Sequence, residues 1–132
     1  KRFLGKAHFQ FANSLRNEGL ISEAIANYQD ALRNDTKQHD AANQLSLLLT
    51  TTSNAALRSP VEALALAGRL CMITQNKNAE FLDTLSIAHA ANKNFEAAAA
   101  AAQRALQIWE QSNKPTAAAT TRSRLTLYTD KQ

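Results

Sequence analysis

The chain is poor in the residues that interrupt regular structure, since its 132 residues include only three glycines and two prolines. An all-β fold with many tight turns needs more of both, so that class is excluded. Aromatic residues make up only 6% of the chain, whereas hydrophobic residues together reach 45%, and many of these are alanine and leucine. Because alanine loses no side-chain entropy in a helix, this composition predicts an all-α fold.

Groups that carry catalysis or bind metals are also scarce. The single cysteine, Cys71, excludes an internal disulfide and a multi-cysteine zinc site, and its apolar neighbours predict a buried thiol. The three histidines, His8, His39 and His89, have no second His or Cys at metal-ligand spacing. The glycines stand alone, so there is no phosphate-binding loop, and no nucleophile has a partner base. The sequence therefore predicts a protein that is not an enzyme and that uses no metal or cofactor.

Long hydrophobic runs and concentrated charge are missing as well. No stretch approaches the roughly 18 apolar residues that a membrane-spanning helix needs, so we expect no direct membrane insertion. The 15 lysines and arginines leave a net charge of +4 but occur in runs of at most two, which argues against a nucleic-acid partner. Because the chain begins at Lys1 rather than at a methionine, we expect it to be a segment of a longer protein, and its compartment is not determined.

One spacing of small and apolar residues occurs twice in the chain. The first occurrence is carried by Ala12, Ile21, Ala24, Tyr28 and Ala31. The second is carried by Ser86, Phe95, Ala98, Ala102 and Ala105. This spacing predicts hairpins of two helices that pack closely through their small residues, and each hairpin needs a neighbour to cover its apolar face.

A third copy of the spacing lies between these two. Ser46 follows Ala12 by 34 residues and starts the copy in phase. The interval from Ser46 to Ala63 is about five residues longer than its counterpart in the first copy, which predicts an insertion in the inter-helix loop at 52–59. Pro60 then suits the first turn of the next helix.

These residues resemble the tetratricopeptide repeat, a helix–turn–helix unit of 34 residues. The resemblance implies one domain over 1–132, an α-solenoid of about seven helices. Its three hairpins would lie at about 5–38, 39–78 and 79–112, with a capping helix at about 115–128 that turns Arg122 and Arg124 outward. Residues 42–110 are also similar to the C-terminal repeats of bacterial tetratricopeptide proteins, some of which are glycosyltransferase-like.

In the family that the chain resembles, the first helices of the hairpins line a concave groove that binds a peptide or protein. The positions that correspond to this groove are Lys6, Phe9, Asn13, Arg16, Asn17, Asn43, Leu47, Thr50, Asp83, Ile87 and Ala90. One subclass clamps the carboxylate tail of chaperones, but this chain keeps only Asn13 of that set, and Asp83 would repel a carboxylate. We therefore do not expect a chaperone-tail ligand.

The predicted function is a non-catalytic module that binds a protein or peptide partner in this groove. One alternative is a structural segment that self-associates through its uncapped N-terminal face or through the loop at 52–59. Another is the soluble repeat tail of a bacterial membrane glycosyltransferase-like protein.

Overall fold

The computed structural model describes residues 2–132, with side chains from Leu4 onward. Its seven α-helices are α1 (Arg2–Asn17), α2 (Ile21–Asn34), α3 (His39–Thr51), α4 (Pro60–Ile73), α5 (Ala79–Ala91), α6 (Phe95–Gln111) and α7 (Pro115–Asp130). A single 3-10 turn, Ala55–Leu57, precedes α4, and residues 2–132 contain no strand. The all-α prediction is confirmed.

The helices form three consecutive hairpins, in which α1 packs on α2, α3 on α4 and α5 on α6. Neighbouring hairpins meet through the pairs α2–α3, α4–α5 and α3–α5, and α7 packs on α6 at the end of the array. Contacts therefore run between elements that are near one another along the chain, as expected of a helical-repeat arrangement.

The small residues of the repeated spacing lie where the two helices of each hairpin touch. The fully buried members are Ala12, Ser46 and Ser86 on the first helices and Ala24, Ala63 and Ala98 on the second. In the middle hairpin the Ser46 hydroxyl donates a hydrogen bond to the Ala63 carbonyl at 2.8 Å, so the larger polar side chain is also satisfied. This shared burial is the physical reason that the spacing repeats.

The connections within the first and third hairpins are tight turns. Gly19 adopts a φ of +82°, a left-handed conformation that glycine reaches without strain. At the matching turn of the third hairpin Lys93 adopts a φ of 62°, and the Asn94 side chain accepts a hydrogen bond from the Ala97 backbone N–H at 3.2 Å to cap α6. A lysine thus occupies the turn position that glycine holds in the first hairpin.

The longer loop of the middle hairpin is held by its own hydrogen bonds. The Arg58 Nε donates to the Thr52 carbonyl at 2.8 Å, and the Ser59 backbone N–H donates to the Leu49 carbonyl at 3.1 Å. The α4 helix then begins at Pro60. The inserted residues therefore form an ordered connection between α3 and α4.

The last helix, α7, buries Ala118, Thr121 and Tyr128 against the third hairpin. The Tyr128 ring packs on Phe95 with their centroids 6.5 Å apart. The prediction that Arg124 faces outward is wrong: its Nη1 lies 3.8 Å from the Asp83 carboxylate. Arg124 lies three residues after Thr121, so the two side chains share one face of the helix and both approach α5.

Candidate binding surfaces

Asn43, which the resemblance places in the groove, is buried between α3 and α5 with 1% of its surface exposed. Its Nδ2 donates to Glu80 Oε2 at 3.2 Å, and its Oδ1 accepts from the Thr84 hydroxyl at 2.6 Å. Both ends of the amide are therefore used to join the second hairpin to the third, which leaves Asn43 closed to a ligand.

Asp83, another predicted groove residue, joins the third hairpin to α7. Its carboxylate accepts hydrogen bonds from Trp109 Nε1 and from the Thr121 hydroxyl, each at 2.8 Å. Arg124 supplies a cation at 3.8 Å. Three helices thus meet at one carboxylate, and its function in the structure is to connect them.

The polar groups of α1 also bond within the fold. The hydroxyl of the fully buried Tyr28 donates to Asn13 Oδ1, and burial raises the pKa of this phenol. Arg16 donates to Gln44 Oε1 on α3 and, at 3.5 Å, to Asn17 Oδ1. Arg16 therefore links the first hairpin to the second, as Asn43 and Asp83 link the elements that follow.

The remaining predicted residues of α3 and α5 offer little free hydrogen-bonding capacity. Leu47, Thr50, Ile87 and Ala90 are half-buried, and the Thr50 hydroxyl donates back to the Leu47 carbonyl at 2.9 Å. The middle of the predicted groove thus presents mainly half-buried apolar side chains and few free polar groups.

Open space on this side of the molecule lies instead at the loops between hairpins. A cavity of about 950 Å³ brings together two predicted residues, Lys6 and Phe9, with loop and helix-start residues that the sequence did not single out. Those further residues are Asp35, Lys37, Gln38, His39, Asp40, Thr74, Asn78 and Phe81. The polar residues at 35–40 are the sequence feature that marks this cavity, but their composition does not indicate which side of the array they face.

Several polar groups of this cavity are not used by the fold. Gln38 occupies the N-cap position of α3 but makes no side-chain capping bond. Lys6 and Lys37 are exposed, and neither takes part in an ion pair of the described residues. By contrast, Asp35 accepts a hydrogen bond from the Lys37 backbone N–H at 3.0 Å, and Asn78 caps α5 through the Phe81 N–H at 3.0 Å. The free groups comprise two cations, the Gln38 amide, the Asp40 carboxylate and the His39 ring.

A second cavity, of about 480 Å³, lies between α2 and α4 with α3 beneath it. Its lining is mainly aliphatic, and it shares His39 with the first cavity. The sequence gives no sign of this space, because the leucines that line it are indistinguishable from core residues in the spacing pattern.

Two titratable groups are shielded from water elsewhere in the array. Cys71 is 2% exposed, and burial raises the pKa of its thiol to about 11, so it is neutral at neutral pH. The Nδ1 atom of His89 is buried without a hydrogen-bond partner, and burial lowers the pKa of this ring, which favours the neutral form.

Within residues 2–132, no three or more His, Cys, Asp or Glu side chains come together in a group that could hold a metal ion. None of the described helices is both long and apolar enough to cross a membrane. Neither the protein-family models nor the curated protein sequences compared with the chain give a match.

Proposed function

We propose that this chain is a non-catalytic module that binds an extended segment of a partner protein in the cavity of about 950 Å³ next to α1 and α3. The observation that carries the proposal is an open, polar cavity whose free groups are not needed by the fold. Its volume falls within the range of about 300–1,000 Å³ typical of ligand sites. The resemblance to tetratricopeptide repeats favours the same kind of ligand.

The chemistry of the lining suits a peptide better than an apolar small molecule. An extended peptide presents unpaired backbone N–H and C=O groups, and the Gln38 amide can donate to one and accept from the other. Lys6 and Lys37 can pair with acidic side chains, while the Phe9 ring, which packs 6.1 Å from Tyr28, offers an apolar edge. Asp40 adds a free carboxylate to the same cavity, so the ligand expected here is a polar peptide with both acidic and basic residues.

The test begins with peptides selected from a random-sequence display library on the immobilised wild-type chain. Their affinities are then measured by fluorescence anisotropy for wild type and for the double variant Lys6→Glu/Lys37→Glu. We expect the double variant to bind about ten-fold more weakly or worse, a change of about 1.4 kcal/mol.

The matched control is Lys93→Glu/Lys114→Glu, which makes the same charge change at exposed positions outside this cavity. Equal weakening by both double variants would contradict the proposal, and so would failure of the wild-type chain to select any peptide. The second candidate function is self-association, which is favoured by two exposed apolar residues of α1, Leu4 at 50% and Phe11 at 57%. Sedimentation of the peptide-free chain is therefore a second control, since it measures whether the chain self-associates.

A further inference from the structure

The second helices of the first two hairpins, α2 and α4, leave a groove between them that the proposed function does not use. Its volume is about 480 Å³, and α3 forms its floor. The apolar side chains that line it are Leu32, Ala42, Leu45, Leu66 and Leu70. Leu32 and Leu66 are only half-buried, so part of their apolar surface faces this space rather than the core.

The groove has a closed end and an open end. At the closed end the Gln29 Nε2 on α2 donates to the Glu62 Oε2 on α4 at 3.4 Å. At the open end, near Thr36 and His39, Ile73 is 47% exposed and extends the apolar surface outward. The wall formed by residues 62–73 of α4 is about 17 Å long at 1.5 Å per residue, the length of about three helical turns.

Charge on the rim is mainly positive. Arg33 stands on the α2 side and Arg69 on the α4 side. Arg33 pairs with Asp30 at the exposed surface, whereas Arg69 is exposed and belongs to no ion pair among the described residues. The single acid of the lining, Glu62, is the one that accepts from Gln29. An occupant with an apolar face and acidic flanks would complement both the floor and the rim.

We infer that this groove binds an acidic amphipathic helix of a partner protein. Binding of this kind places aliphatic side chains, spaced three or four residues apart, on an apolar floor between two helices. The acidic residues beside that stripe then meet Arg33 and Arg69, which favours one orientation and speeds association. The groove shares only His39 with the cavity of the proposed function, and the inference does not depend on that function.

The probe is a capped, fluorescein-labelled peptide as long as residues 62–73, held helical by a covalent staple on its outer face, with leucine every three or four positions, glutamate beside the leucines and alanine elsewhere. We expect saturable binding to the wild-type chain that weakens as salt is added. Arg33→Glu/Arg69→Glu should weaken binding about ten-fold or more. Arg104→Glu is the control, since it reverses an exposed arginine on α6, outside this groove.

Two further peptides and one mapping experiment decide the outcome. Replacing glutamate by lysine, or leucine by alanine, in the probe should abolish binding. Amide shifts in ¹H–¹⁵N spectra should change at Leu32, Ala42 and Leu66 and stay constant at Phe9 and Asn78, which line only the first cavity. The inference is overturned if the probe does not bind at about 1 mM, if the lysine peptide binds equally well, or if the shifts cluster at Phe9 and Asn78.

Discussion

Replacing Asp83 by alanine should loosen the C-terminal end of the array. The carboxylate of Asp83 accepts from Trp109 Nε1 and from the Thr121 hydroxyl at 2.8 Å each, and Arg124 lies 3.8 Å away. Thr121 is fully buried, so its hydroxyl would lose its acceptor without gaining water. The substitution therefore removes a three-helix connection and leaves at least one buried donor unsatisfied.

The expected cost follows from these contacts. A hydrogen bond to a charged group contributes about 1.5–3 kcal/mol, and two such bonds are lost. The Arg124 side chain is 34% exposed, so its ion pair contributes only about 0.5 kcal/mol after solvent screening. Because the bonds share one acceptor they are not additive, and we expect about 3–5 kcal/mol in total. That is a large part of the stability of a domain of this size.

Urea unfolding, followed by two signals, measures this cost. Trp109 is the only tryptophan in the chain and donates directly to Asp83, so its fluorescence reports on the α5–α6–α7 junction. Circular dichroism at 222 nm reports on all helices. In Asp83→Ala the fluorescence transition should move to lower urea than the helix transition, because repeat arrays can lose a terminal element before the rest.

Asp130→Ala is the control, since Asp130 is an exposed acid near the end of α7. It should change the free energy of unfolding by less than about 0.5 kcal/mol. A cost below about 1 kcal/mol for Asp83→Ala would refute the reasoning, because it would mean that the Trp109 and Thr121 donors find other partners. If the fluorescence and circular-dichroism transitions coincide and the loss of free energy of unfolding is large, Asp83 does connect the three helices, but α7 does not loosen independently of the rest.

Two other substitutions test the packing and the burial of single residues. Ala98 is fully buried near Phe95 and Tyr128, so Ala98→Leu should lower the free energy of unfolding by about 1–3 kcal/mol through overpacking. Ala100→Leu, on the exposed side of α6, is the control and should have no such effect. Unchanged thermal unfolding of Ala98→Leu would contradict this packing. Burial lowers the pKa of His89 from 6.5, so the unfolded chain binds more protons and the folded state loses stability as the pH falls below about 6.5. His89→Gln should remove that part of the pH dependence, as judged by urea midpoints at several pH values, and an identical pH profile in both proteins would show that His89 is not its source.

The helices could be predicted from the sequence because close helix packing constrains residue size at every repeat. Ala24, Ala63 and Ala98 are all fully buried at equivalent contacts. In the first and third hairpins the alanine follows the small residue of the first helix by 12 residues, an interval that is visible without any structure. Even the insertion before α4 showed as a change in that interval. Packing of this kind is local, so it leaves a local pattern.

The use of polar side chains could not be predicted in the same way. The resemblance assigns both Asn43 and Asn13 to the groove, yet Asn43 is buried and Asn13 is only half-buried. What distinguishes them is the partner: Thr84, which bonds Asn43, lies 41 residues further along the chain. A hydrogen bond to a residue so distant leaves no signal in the local spacing. The sequence therefore shows which side chains share a helix face, but not whether another helix already bonds to them.

This difference explains where the polar groups that the fold leaves unused lie. In a stacked array the first helices must connect to one another, and here Arg16, Asn43 and Asp83 make those connections with the same polar groups that a groove would offer to a ligand. The loops between hairpins have fewer packing constraints, so residues such as Lys37 and Gln38 keep unused donors. Substitutions of these three connecting residues should therefore affect mainly the free energy of unfolding, and substitutions at 35–40 should affect mainly the proposed peptide binding.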